Sequence, residues 1–118
     1  MLLHDLNNGI PYPDSSVGEI LARNILMHLE DPIFILSECW RVLKPNGLLE
    51  IHTPLVDLNL KAAFRDPSMK HFWSSDTLEH FLPGGWDAHY VGFVGHFERV
   101  EEYREDGELR YELWRAVK

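Results

Sequence analysis

Seven histidines in 118 residues raise the question of whether any set of them could hold a metal or move a proton. His71 and His80 flank a helical stretch carrying Asp76 and Glu79, and His89 and His96 follow with Asp87 nearby. Two ligands on one side of a helix would need H-x-x-x-H or H-E-x-x-H spacing, and neither pattern occurs. No metal is expected. The acidic run from Glu98 to Asp106 is broken by Arg99, Val100, Tyr103 and Arg104 and has no spacing that marks a catalytic carboxylate pair. It reads as the solvated face and tip of a hairpin. Ser15, Ser16, Ser74 and Ser75 lack the G-x-S-x-G elbow that exposes a nucleophile. Trp40, Trp73, Trp86 and Trp114 read as packing residues. Cys39 is the lone cysteine, cannot form an internal disulfide, and sits in an apolar helical stretch that predicts a buried, inert thiol.

Composition narrows the function classes. The formal charge of -8 opposes binding to a phosphate backbone, which requires Lys and Arg to displace counterions, so nucleic acid is not expected as a partner. No stretch reaches the roughly 20 apolar residues of a membrane helix, and His4 and Asp5 follow Met1-Leu2-Leu3 at once, with no secretory signal. The expected setting is soluble and cytoplasmic, with residues 1–118 forming a single truncated domain.

The elements that would position these residues can be read in order. LNNGIPYPDSS, from Leu6 to Ser16, is a loop, because each of its Asn, Gly, Pro, Asp and Ser residues favours turns. Val17 to Leu26 is apolar; if Ile20 to Ile25 is a strand its apolar character makes it central in a sheet, and periodicity alone leaves a short helix open as the alternative. Asp31-Pro32 starts a helix running to about Lys44, with Asp31 as the cap and Pro32 in the first turn. Pro45, Asn46 and Gly47 stop it, and Leu48 to Thr53 follows as a strand. Strand, helix, strand is the right-handed crossover of an α/β fold. A second helix is expected before Pro83, capped by Ser75 or Asp76. Tyr90 to Tyr103 and Glu108 to Val117 read as β segments joined through Glu105-Asp106-Gly107, since Asp-Gly is a strong hairpin signal. Leu109, Tyr111 and Leu113 alternate with Arg110 and Glu112, which predicts one buried and one wet face.

The segments HDLNNGIPYPDSSVGEI, ARNILMHLEDP, ECWRVLKPNGLLEIHTP and DPSMKHFWSSDTLEHF, with the final hairpin, form a recognisable series. In this order they resemble the second half of class I S-adenosylmethionine (SAM)-dependent methyltransferases of the type 11 branch. Arg41-Val42-Leu43-Lys44-Pro45-Asn46-Gly47-Leu48-Leu49 is the segment most similar to that family. The resemblance implies a partial Rossmann-like fold, a mixed sheet with a C-terminal antiparallel hairpin supplying the family's fourth to seventh strands. It also implies SAM as cofactor. By the same resemblance, Asp5 and Leu6 match the position beside the adenine ring, and Asn24 and Ile25 match the end of the fourth strand beside the sulfonium. His28 matches the histidine of an E-H-L-like motif in which Met27 replaces the acidic residue, and Val17-Gly18 stands where Phe-Asp is usual.

No G-x-G turn occurs, and that turn is what lets a backbone approach the cofactor closely. The chain is therefore expected to be methyltransferase-like and not catalytically competent alone. Two further readings follow: a non-enzymatic homodimeric assembly module, and one half of a split methyltransferase completed by a complementary protein. In the full fold the fourth strand pairs with the first, so here Val17 to Leu26 would be an open edge, with homodimerisation as the expected way to cover it. A longer native chain would cover the same edge with its own preceding residues.

Overall fold

A computed structural model describes residues 6–84 and 88–118. Strand β1 (Val17–Arg23) leads through a short 3-10 turn (Leu26–His28) into helix α1 (Pro32–Val42), which returns to strand β2 (Leu43–Pro54). The local reasons are those the sequence suggests: Asp31 caps α1 by accepting the Phe34 N–H at 3.0 Å, and Pro32 occupies the first turn without wasting a donor. β1 and β2 pair in parallel, as the crossover requires. The helix stops at Val42, two residues short of Lys44, because Leu43 already adopts extended backbone and enters the sheet. Between the pairs Val17–Leu43 and Glu19–Leu48 the register slips, and the surplus residues 44–47 form a bulge around the Asn46 turn. Gly47 is required there, since a Cβ would lie 2.9 Å from the Lys44 carbonyl oxygen.

Two short helices follow, α2 (Leu60–Ala63) and α3 (Ser75–Glu79), then strands β3 (Phe97–Arg99), β4 (Arg104–Glu105) and β5 (Leu109–Ala116). The sheet order is β1-β2-β5-β3, with β4 also on β5, and every pairing made by β5 is antiparallel. The architecture is the expected mixed α/β sheet with its C-terminal hairpin. In the turn, Asp106 accepts the backbone N–H groups of Glu108 and Leu109, each at 2.7 Å, which is why Asp-Gly works at this position. β1 sits at the edge of the sheet; its apolar character reflects the helix beneath it, not a central place.

Several expectations need correction. α3 is capped at Ser74, not at Ser75 or Asp76: the Thr77 hydroxyl accepts the Ser74 N–H at 3.2 Å, while Ser75 donates its N–H and hydroxyl to Asp57. Residues 90–96 are a 3-10 turn and coil, and regular strand begins only at Phe97. α2, capped by Asn59 on the Ala62 N–H at 2.9 Å, was not anticipated.

On β5 the period of two holds, yet the fully buried face is Arg110, Glu112, Trp114 and Ala116, while Leu109, Tyr111 and Leu113 are half-buried. Trp114 and Ala116 belong to the core with Leu49, Ile51 and Leu36, and the alternation carries the two charged residues inside with them. The charges are met there. Arg99 donates to both Glu112 oxygens, at 2.7 and 3.0 Å, and to Glu79 at 2.7 Å, and Trp114 donates to Glu112 at 2.9 Å. Arg110 donates to Glu105 at 3.1 Å and stacks on the Tyr103 ring, 3.5 Å from its centroid. Burial opposes the Arg99 charge, and the hydrogen bonds from Glu112 and Glu79 outweigh it, holding this guanidinium above its ordinary range.

Candidate functional site

Parallel strands place their carboxyl ends together, and in α/β sheets ligands gather there. β1 ends at Arg23, and the next residue, Asn24, has a positive φ of 54°, a left-handed turn that asparagine tolerates better than most residues. Its N–H donates to the His52 carbonyl at 2.8 Å, tying the end of β1 to β2. The turn sends Ile25 the other way. The 3-10 turn that follows is fixed from outside, because the N–H groups of Lys70 and His71 both donate to the Met27 carbonyl, at 2.8 and 3.2 Å.

Asn24 opens on a cavity of about 230 Å³, shared with His28, Arg65, Asp66 and Glu108. His28 lies between two partners: its Nδ1 is 3.3 Å from the Ser68 hydroxyl and its Nε2 is 3.6 Å from Asp66. Asp66 accepts the Ser68 hydroxyl at 2.7 Å and the Ser68 N–H at 2.8 Å, and the hydroxyl contact first, then the backbone one, hold its carboxyl below the usual range. Arg65 and Glu108 pair at 2.8 Å across the mouth. The arrangement offers an imidazole, a carboxylate and an amide at one opening, groups able to orient a polar ligand and to accept a proton.

Leu6 and Ile25 line a different cavity of about 430 Å³, between β1 and α1, with Ile10, Ile20 and Cys39 in its walls. The resemblance-based residues therefore divide: Leu6 and Ile25 share an apolar groove, Asn24 faces the polar cavity, and Asp5 lies outside the described residues. Cys39 is buried, and burial above all pushes its thiol up to about 12. Such a thiol is not a nucleophile near neutral pH.

The sequence reading did not single out Arg65, Asp66, Ser68 or Glu108. Asp66-Pro67-Ser68 is a turn signal that could have placed Asp66 beside its own hydroxyl partner, but nothing local tells that His28, 38 residues earlier, packs against it. His71, His80 and His89 each contact a backbone carbonyl, at 3.1, 2.9 and 2.6 Å. Among the described residues no group of three or more His, Cys, Asp and Glu side chains is placed to hold a metal ion. No helix there is long and apolar enough to cross a membrane.

Residues 1–51, which hold β1, α1 and the start of β2, match a family described as a methyltransferase domain. A stretch of 45 residues is 40% identical to an S-adenosylmethionine-dependent methyltransferase of Mycolicibacterium smegmatis, covering 38% of this chain and 18% of that protein. Among solved structures, a Bacillus halodurans methyltransferase superposes with a TM-score of 0.65 over 95% of the chain at 17% identity. The chain has a class I methyltransferase-like fold.

A SAM-dependent methyltransferase of Aquifex aeolicus matches all of this methyltransferase-like chain at TM-score 0.60 and 21% identity. A chain from the Haloferax volcanii complex of the Trm112 methyltransferase activator with a methyltransferase gives 0.66 at 13% identity over 95% of it. The chain spans 55% of the Aquifex protein, 59% of the Haloferax chain and 69% of the Bacillus protein. At these identities the structural matches speak for the fold, while the family match covers residues 1–51 and the curated match 45 residues, each under half of the chain.

Proposed function

We propose that this methyltransferase-like chain does not hold SAM or transfer a methyl group by itself. One observation carries the reading: Leu6 and Ile25 face the apolar groove while Asn24 faces a separate polar cavity, so the described members of the set do not line one cavity together. The sequence adds that no G-x-G turn is available to cradle it. In this reading Asp5, Leu6, Asn24 and Ile25 are the cofactor-side positions, and the cavity beside His28 is where an acceptor would be presented. The proposal places the protein in the cytoplasm, where a lone thiol such as Cys39 stays reduced. The charge of -8 favours protein or small-molecule partners over nucleic acid.

Calorimetric titration of the purified chain with SAM and with its demethylated product tests this. No saturable heat from the folded chain supports the proposal. Micromolar binding that disappears in Asn24→Ala would overturn it and make the chain a cofactor-binding protein in its own right. A split methyltransferase is the second reading, favoured by the open edge of β1. It predicts methyl transfer that arises only when a complementary segment is added.

A further inference from the structure

The even-numbered residues of β1 turn their backbone groups toward β2: the N–H of Asn24 is spent on His52, and Ser16 donates to Val42 at 2.8 Å. By strand alternation, the N–H and C=O groups of Glu19, Leu21 and Arg23 point away from the sheet, along its edge. Leu21 is 57% exposed on this edge, and the apolar groove of Leu6, Ile10 and Ile25 runs beside it. An unpaired apolar edge of this kind templates another strand.

Charge identifies that strand. In an antiparallel pairing of β1 with a second copy of itself about a two-fold axis at Leu21, Leu21 meets Leu21, Glu19 meets Arg23 and Arg23 meets Glu19. All three outward residues then exchange hydrogen bonds with residues that also face outward. Moving the axis to Ile20 sets Val17 opposite Arg23 and Glu19 opposite Leu21, losing both charge pairs. We propose that the chain forms a homodimer by antiparallel pairing of two β1 edges centred on Leu21, with reciprocal Glu19–Arg23 contacts fixing the register. This goes beyond the cofactor reading and competes with the split-enzyme reading, because a second copy of β1 would fill the edge that a complementary segment needs.

The register makes the test specific. Sedimentation equilibrium of the full chain should give a dimer. Because each single reversal turns two attractive contacts into repulsive ones, Glu19→Arg and Arg23→Glu should each weaken dimerisation about tenfold or more. The double variant Glu19→Arg with Arg23→Glu should restore it. Both side chains are exposed, and unchanged circular dichroism confirms that the variants fold. Leu21→Cys should form a disulfide-linked dimer on mild oxidation, while Gly18→Cys should not. A monomer at all concentrations overturns the proposal, as does a dimer indifferent to the single reversals or not rescued by the double one.

Discussion

Arg99 grips both carboxylate oxygens of Glu112, and Glu112 is wholly buried beneath it. A buried ion pair adds little net stability over an apolar pair, but losing one member leaves a charge with nothing to meet it. Glu112→Ala leaves Arg99 with Glu79 alone and Arg110 with Glu105 alone, and takes the nearest carboxylate, 3.5 Å away, from the Arg110 Nη1, which has no hydrogen-bond partner. It should cost about 3 kcal/mol in urea unfolding. Glu112→Leu combined with Arg99→Met should recover part of that loss.

Stability should also fall in acid through Glu38. Its carboxylate accepts from Arg41 at 2.6 and 2.9 Å and from the Ile10 N–H at 3.0 Å, and the Arg41 contact above all holds its carboxyl below the ordinary value of 4.5. The folded chain therefore binds this proton less readily than the unfolded chain. The contribution is complete above about pH 4.5 and is lost as pH falls through the lower folded value. Unfolding midpoints measured from pH 7 to 3 should decline in the native chain, and Glu38→Gln should flatten part of that decline.

The left-handed turn at Asn24 gives a third expectation. Alanine there meets the backbone penalty of the region, so Asn24→Ala should lower stability by about 1 kcal/mol, whereas Asn24→Gly should be nearly neutral. Thermal unfolding distinguishes them. A loss shared equally by both variants would assign the effect to the side chain instead.

Gly47 and Gly107 should differ sharply. A methyl group at Gly47 meets the Lys44 carbonyl at 2.9 Å and the Gly18 carbonyl at 3.2 Å, both backbone atoms that cannot swing aside. Gly47→Ala should therefore cost about 2 kcal/mol. Gly107→Ala meets nothing within 4 Å and should stay within about 0.5 kcal/mol of the native chain.

What the sequence made legible were features whose cause is local. Asp31-Pro32 starts α1 because cap and first turn are adjacent in the chain, and Asp106-Gly107 turns the hairpin for the same reason. Hidden features depended on distant partners. The alternation along β5 showed that two faces exist, but the inward one is chosen by Trp114 and Ala116 meeting Leu49 and Ile51, with Arg110 and Glu112 carried along. The family resemblance put Asn24 and Ile25 in one site; after the turn at Asn24 they open on separate cavities. Residues 90–96 are rich in β-formers, yet Gly92 and Gly95 take positive φ there, and Gly95 lies against Trp40.

The placement of β5 between β2 and β3 has a consequence for how the molecule is made. The strand that joins the two halves of the sheet follows all the other described strands in the chain, so the β1-α1-β2 crossover must wait, with Leu49 and Ile51 uncovered, until residues 109–116 arrive. A chain cut before Leu109 would therefore lose a middle plank of the sheet rather than its fringe.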